Sequence, residues 1–320
     1  LRFWLNRGVD GFRFDAVGNL VENGASAWEN QPENFTLMGN IRDMVGNGYA
    51  NRFLVCEGPS APLAFATACG SAFAFGHQSD LINAAKGNTT AIGNLASYFG
   101  TAPGKAPDSM STMLSNHDSF AGDRAMDLSQ FNGNESQYRL AAATYLLQPG
   151  TPFIYYGEEI GMRSAAGLSG DPKLRTPMSW TTSNTGAGGF TTGSPFRALS
   201  ANVATNNVQS QQAAGSLLNW YKAVIAVRQA NPALRSGTHV SATAAGTTLS
   251  FQRASGNQRA VVMINYGSGP ALISAGGLPA NGVLTEVFPQ PGINDANIDA
   301  GGTASASIPA QSLRVFVITI

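Results

Sequence analysis

Apolar positions along this chain keep one rhythm up to about residue 236 and another beyond it. Leu1, Trp4 and Leu5 share a helical face, and Gly8 supplies a stop. A strand reading follows at 11–17. Helix and strand readings then alternate: helix 36–47, strand 53–57, short helix 62–69, strand 71–76, helix 88–100, strand 111–116, helix 135–148 and strand 152–156. The 135–148 helix is the clearest. Tyr138, Ala141, Ala142, Tyr145 and Leu146 recur at helical spacing before Pro149-Gly150. A Gly/Ser/Thr-rich loop, 181–195, precedes a last helix at 215–230, closed by Asn231-Pro232. Beyond it the runs are short and β-rich: 247–252, 259–265, 283–288 and 312–320. Gly, Pro and Asn separate them, as in an antiparallel sandwich. The expected class is α/β: alternating βα units over 1–235, then a β-sandwich domain over 236–320.

Three of the strand readings run into a carboxylate. Asp15 ends GVDGFRFD, Glu57 ends FLVCE, and Asp118 ends TMLSNHD. An acid at the C-terminal end of a barrel strand points into a site rather than into the core. Side chains alternate along a strand, so Arg13 and Asp15 share one face, and Phe12 and Phe14 take the other, toward helices. A guanidinium beside an acid favours the ionised form, which suits a nucleophile. Glu57 follows a largely apolar run, and desolvation raises a carboxyl pKa, which suits a general acid. Alone, each acid also reads as a structural ion pair or a turn cap. Together they suit cleavage of acetal bonds, with two carboxyls roughly 5–5.5 Å apart when configuration is retained.

The same segments carry a resemblance. Gly-Phe-Arg-Phe-Asp-Ala-Val (11–17), Glu57 after Phe53-Leu54-Val55-Cys56, and Ser115-Asn116-His117-Asp118 resemble three ordered motifs of the α-amylase superfamily, glycoside hydrolase family 13. Pro152 to Met162, PFIYYGEEIGM, resembles that family's eighth barrel strand and following loop. Arg175-Thr176-Pro177-Met178-Ser179-Trp180 resembles a segment just beyond it. The resemblance implies a (β/α)8 TIM barrel, of which residues 1–235 hold about strands 4–8, followed by a C-terminal antiparallel β-sandwich domain. It implies Asp15 as nucleophile, Glu57 as acid/base and Asp118 as the transition-state carboxylate, with Arg13, His117 and Asn116 as substrate contacts. It implies a retaining hydrolase of α-1,4-glucans. A transglycosylase of the superfamily would use the same acids, and a non-catalytic sugar-binding or transporter-associated relative would be expected to lose one or more of them. Barrel strands 1–3 lie outside this sequence, so the expected partner is that N-terminal barrel segment, from the same protein or a second chain. Ala16 after the nucleophile resembles α-1,4-acting members. Gly58-Pro59 and Gly18-Asn19 depart from the family pattern, the latter replacing a Lys-His pair near a position often close to calcium.

Composition narrows the rest. Net charge is +0, which gives no footing for nucleic acid or an anionic membrane surface. Charged residues are only 12%, against about 25% in average soluble domains, and the surface leans on Asn, Ser, Thr and Gln, as in secreted or periplasmic proteins. No run approaches the roughly 20 apolar residues of a membrane span. The two cysteines, Cys56 and Cys69, read either as small buried hydrophobes or as one bridge. The chemistry itself calls for no cofactor, and the resemblance leaves room for a structural calcium ion. Trp28, Trp180 and Phe190 fall in loops and suit either sugar stacking or packing. Tyr155, Tyr156, Glu158 and Glu159 read as barrel-rim structure.

Overall fold

A computed structural model describes residues 1–100, 109–182 and 186–320. The expected loop at 181–195 lies partly outside the described residues. The chain divides into two compact units.

The first unit comprises Leu1–His77 with short returns near 110 and 150. It holds a five-stranded parallel sheet, β1 (Gly11–Phe14), β2 (Phe53–Cys56), β3 (Ala72–Phe73), β4 (Met110–Thr112) and β5 (Thr151–Pro152), in that spatial order. Strands adjacent both in sequence and in space, all parallel, are the arrangement of consecutive barrel strands. Phe12 and Phe14 pack with Leu5, Leu54 and Val45, the last on the Pro32–Gly48 helix, as alternation predicts. Cys56 and Cys69 form a disulfide with Cα atoms 6.2 Å apart, tying the end of β2 to the end of the Pro62–Cys69 helix.

The strands are shorter than their apolar runs. The 11–17 run stops at Phe14 because Ala16 turns into the left-handed region, φ 45°. The 71–76 run pairs only at Ala72–Phe73 before the His77–Ala85 helix, which the sequence reading left unassigned. That helix opens on polar residues, yet Leu81, Ile82, Ala84 and Ala85 are buried. The 111–116 and 152–156 readings shrink to Met110–Thr112 and Thr151–Pro152.

The second unit takes in residues 78–100, Met113–Pro149 and Ile154–Ile320. Its six-stranded antiparallel sheet runs β11 (Ala296–Asn297), β10 (Val283–Phe288), β13 (Ser312–Thr319), β8 (Gln258–Asn265), β7 (Thr248–Ser255) and β6 (Thr238–Ala245); a pair, β12 (Ala304–Ile308) and β9 (Ala271–Ala275), forms the second layer. Both faces of the larger sheet are covered. Ala260, Val262 and Ile264 join one core with Tyr138, Tyr145 and Leu146 of the Glu135–Leu147 helix and Val224 of the Leu217–Ala230 helix. Val261 and Met263 join another with Ile273, Ala275 and Ile308 of the pair. This is why β8 reads as an unbroken apolar run. Strands β6, β9 and β12 escaped the pattern because their inward positions are mostly Ala, which carries little hydrophobic signal.

The Glu158 carboxyl is buried in this unit. Tyr145 and Tyr221 donate to Glu158 Oε1 at 2.6 and 2.8 Å, Tyr138 donates to the Glu158 carbonyl at 2.7 Å, and Oε2 has no partner. Burial pushes the Glu158 carboxyl up to about 7, against the opposing tyrosine hydrogen bonds. Since the folded value lies above the ordinary 4.5, this group supports the fold most at low pH, and the support is lost as pH rises from 4.5 to about 7. A shift of that size corresponds to on the order of 3 kcal/mol. Glu158→Gln, which keeps an acceptor for both tyrosines, should shrink the drop in melting temperature between about pH 5 and about pH 7.5. Calorimetry showing the same drop in variant and wild type would remove Glu158 as its source.

Candidate active site

The turn after β1 and the end of β2 are built as one piece. Glu57 N–H donates to the Phe14 carbonyl at 2.8 Å, and Val17 N–H donates to the Glu57 carbonyl at 3.0 Å. Ala16 N–H donates to the Glu57 side-chain Oε2 at 2.8 Å. These bonds hold Ala16 in its left-handed conformation, which a non-glycine residue adopts only where its surroundings fix it. The turn thereby presents Asp15 and brings it against Glu57.

Arg13 connects the two acids. It ion-pairs with Asp15 through Nη1 and lies with Nη2 3.4 Å from Glu57 Oε2. Asp15 is 73% exposed at its side chain, whereas Glu57 is 9% exposed. Burial pushes the Glu57 carboxyl up; the Ala16 amide and Arg13 oppose this, and Asp15 adds to it. Asp15 and Glu57 are near enough for the Asp15 carboxyl to act on that of Glu57. The shared guanidinium gathers both acids to one point.

Gly58 has a local cause. A Cβ there would lie 2.2 Å from the Phe65 ring, which stacks on Phe35 at 4.4 Å between centroids. The larger residue that the family pattern favours has no room behind Glu57. Gly18 is similarly enclosed: a Cβ would meet Asn30 Oδ1 at 2.6 Å. Buried Asn34 donates to the Gly18 and Val21 carbonyls at 2.8 and 3.1 Å and accepts from Val21 N–H at 2.7 Å. That loop is thus closed by an amide. Among the described residues no three of His, Cys, Asp or Glu gather to hold a metal ion, so the calcium expectation finds no carboxylate cluster to rest on.

In the second unit, Asp118 lies six residues past the end of β4, in a loop rather than at a strand end. Its N–H donates to Asn116 Oδ1 at 2.8 Å, which sets the turn. His117 Nε2 stands 3.2 Å from Asp118 Oδ2. Arg175 occupies the other carboxylate oxygen, donating from Nη2 to Oδ1 at 2.7 Å, and it donates from Nε to the His117 carbonyl at 2.9 Å. Asp171 braces this arrangement. It accepts from the Ser119 amide and hydroxyl, both at 2.8 Å, and from Arg175 at 3.1 Å. The Ser119 amide, then its hydroxyl, hold the Asp171 carboxyl below its ordinary value. The structure therefore brings Arg13, Asp15 and Glu57 together in one unit, and Asn116, His117 and Asp118 together in the other.

Sequence reasoning quoted Arg175 as part of a motif but gave it no role, and it passed over Asp171. The pairing of Asp118 with Arg175, 57 positions later, and of Ser119 with Asp171, 52 positions later, leaves no local periodicity to detect. Tyr155 and Tyr156, which the sequence reads as rim structure, are fixed by local contacts. Their hydroxyls donate to the Leu174 and Thr176 carbonyls, and Arg124 lies 4.5 and 4.7 Å from their ring centres. Trp28, Trp180 and Phe190 are each about half exposed.

Known proteins resemble this chain in sequence and fold. Relatives include the trehalose synthase/amylase TreS of Mycolicibacterium smegmatis, 28% identical over 74% of this chain and 47% of that protein. The alpha-amylase SusG of Bacteroides thetaiotaomicron is 31% identical over 73% of this chain and 33% of that protein. Among solved structures, Eubacterium rectale Amy13B superposes with a TM-score of 0.75 at 27% identity, covering 100% of this chain and 62% of that one. The chain spans about half the length of the curated trehalose synthase/amylase relatives it matches. The family model for the alpha-amylase catalytic domain matches residues 1–237, and the chain belongs to that family.

Proposed function

We propose that this chain carries the catalytic acids of a retaining α-glycoside-active enzyme whose substrates are α-1,4-glucans such as maltooligosaccharides. The observation that supports it most directly is the contact between exposed Asp15 and buried Glu57 under one guanidinium. A guanidinium paired with Asp15 favours the carboxylate form that a nucleophile needs, and direct attack by Asp15 gives retention. Asp15 attacks the anomeric carbon and the glycosidic bond breaks. Glu57, whose carboxyl burial pushes up, passes a proton to the departing oxygen. Glu57 then takes a proton from the water or sugar hydroxyl that displaces Asp15, restoring both acids. Asp118, held on both carboxylate oxygens by Arg175 and His117, is the third acid, and it hydrogen-bonds ring hydroxyls more tightly as charge develops. Arg13, His117 and Asn116 complete the substrate contacts.

A second reading, glycosyl transfer to a sugar rather than to water, is favoured by the relatives named trehalose synthase/amylase and by a solved alpha-glucosyl transfer enzyme of similar fold. Both readings use the same first step. Secretion or a periplasmic setting fits the charge-poor composition.

The anomeric outcome decides the core of the proposal. Proton NMR of the first sugar released from a maltooligosaccharide should show the α-anomer before mutarotation; the β-anomer would make Asp15 a base for water instead. Asp15→Asn should abolish turnover while leaving maltooligosaccharide binding in place, because an amide is no nucleophile.

The buried acid predicts a pH dependence. Activity needs the protonated form of Glu57, so the alkaline limb of kcat/KM should lie above that of an ordinary exposed glutamate. Glu57→Gln should cost roughly 10²–10⁴-fold on a glucan and far less on an aryl α-glucoside whose leaving group needs no proton. Equal losses on both substrates would exclude Glu57 as the acid.

A further inference from the structure

Within the first unit, a cavity of about 320 Å³ is lined by Arg42, Val45, Tyr49, Arg52, Leu54 and Cys69. It lies at the start of β2, whereas Glu57 follows the end of that strand. Val45 and Leu54 are buried and give the cavity apolar wall. Its two guanidiniums differ in how far they are committed. Arg42 donates to Asp43 Oδ1 from Nε and Nη2 at 2.9 and 2.8 Å, and to the Thr67 carbonyl at 2.7 Å. Arg52 donates from Nη1 to the Ala50 carbonyl at 3.1 Å, and its carboxylate neighbour, Asp10, stands 4.0 Å away with a side chain 98% exposed. Arg52 Nε is buried and has no hydrogen-bond partner. A buried donor left unmade costs free energy that an incoming acceptor recovers.

We propose that this cavity binds a small organic carboxylate, with Arg52 holding the carboxylate and the wall of Val45 and Leu54 taking its apolar body. A guanidinium presents its donors in a planar fork that matches a carboxylate. The apolar wall favours a ligand with a hydrocarbon part over a bare ion, and the volume is the small end of the roughly 300–1,000 Å³ typical of ligand pockets, room for one ring and its head group. Charge balance sets the head group. Arg42 is already neutralised by Asp43, so one guanidinium is left to meet one negative charge, which suits a carboxylate rather than a phosphate dianion. The ligand would also touch Cys69, whose disulfide partner Cys56 immediately precedes Glu57. Binding here stands apart from the acids and does not depend on the glycosidic reading.

The test is titration calorimetry of the 320-residue chain with benzoate as probe, against its neutral analogue benzamide and against inorganic phosphate. Benzoate should bind the wild type more tightly than either. Arg52→Gln should lower benzoate affinity roughly tenfold to a hundredfold, the range of a hydrogen bond to a charged group, and leave benzamide binding little changed. A second variant fills the space instead of removing the charge. Gly46 lines the cavity from within the Pro32–Gly48 helix, and a Cβ there meets nothing within 4 Å. Gly46→Leu should therefore abolish benzoate binding while melting no lower than the wild type, since leucine is the better helix former. No benzoate binding by the wild type, or equal benzoate affinity in wild type and both variants, overturns the site. Benzamide binding as tightly as benzoate overturns the role of Arg52, and phosphate binding more tightly than benzoate overturns the assignment to a carboxylate.

Discussion

The reciprocal bonding between Glu57 and the turn after β1 is the constraint on which the Asp15–Glu57 pair depends. Three hydrogen bonds tie Phe14, Ala16 and Val17 to Glu57, two of them through its backbone and one through its carboxylate. The carboxylate bond leaves Ala16 in a left-handed conformation, so the side chain of Glu57 also shapes the turn that presents Asp15. Strand pairing sets the coarse register, Phe14 opposite Cys56, and these bonds extend it past the end of the ladder. The disulfide fixes the other side of the same point, since Cys56 immediately precedes Glu57 and is bonded to the following helix. A strand end clamped on two sides positions a side chain more closely than a loop would.

The Asp118 cluster solves the same problem differently. Its loop has no ladder to lean on, and rigidity comes from side chains instead. Arg175 spans Asp118, the His117 carbonyl and Asp171, while Asp171 reaches back to both hydrogen-bonding groups of Ser119. A planar guanidinium with donors in fixed directions suits such bracing, where the point charge of a lysine would leave the orientation loose.

What the sequence reveals here follows from how local each signal is. The barrel strands announce themselves through apolar runs closed by an acid, and the parallel order follows from alternation with helices. Their lengths are overstated because apolar residues continue past the ladder: Leu114 is buried in the second unit's core without belonging to β4. The His77–Ala85 helix is masked by its polar first turn, and β9 and β12 by alternating Ala and Ser. The Arg13–Asp15 pair is visible because it is two residues long. The Arg13–Glu57 approach, the Asp15–Glu57 contact and the Arg175 bridge are not, because they join residues 42 to 58 positions apart through backbone geometry that no spacing rule encodes. Gly58 shows the converse. As a departure from a pattern it looks like a change of subsite, whereas its cause is the Phe65 ring behind it.

The asymmetry around Arg13 carries the division of labour between the two acids. One guanidinium contacts both carboxyls, so its charge alone cannot distinguish them. Burial does: Glu57 is nearly enclosed and its carboxyl is pushed upward, whereas Asp15 stands in the open beside the same cation. In the proposed reaction, separating two like groups by environment rather than by chemical identity is what suits the aspartate to attack and the glutamate to donate a proton. The enclosure of Glu57 comes from packing that lies off the reaction path, including the apolar end of β2 and the Phe35–Phe65 stack behind Gly58. The proposed assignment therefore depends on hydrophobic burial as much as on the acids themselves: a Glu57 opened to solvent would lose the upward push that suits a proton donor.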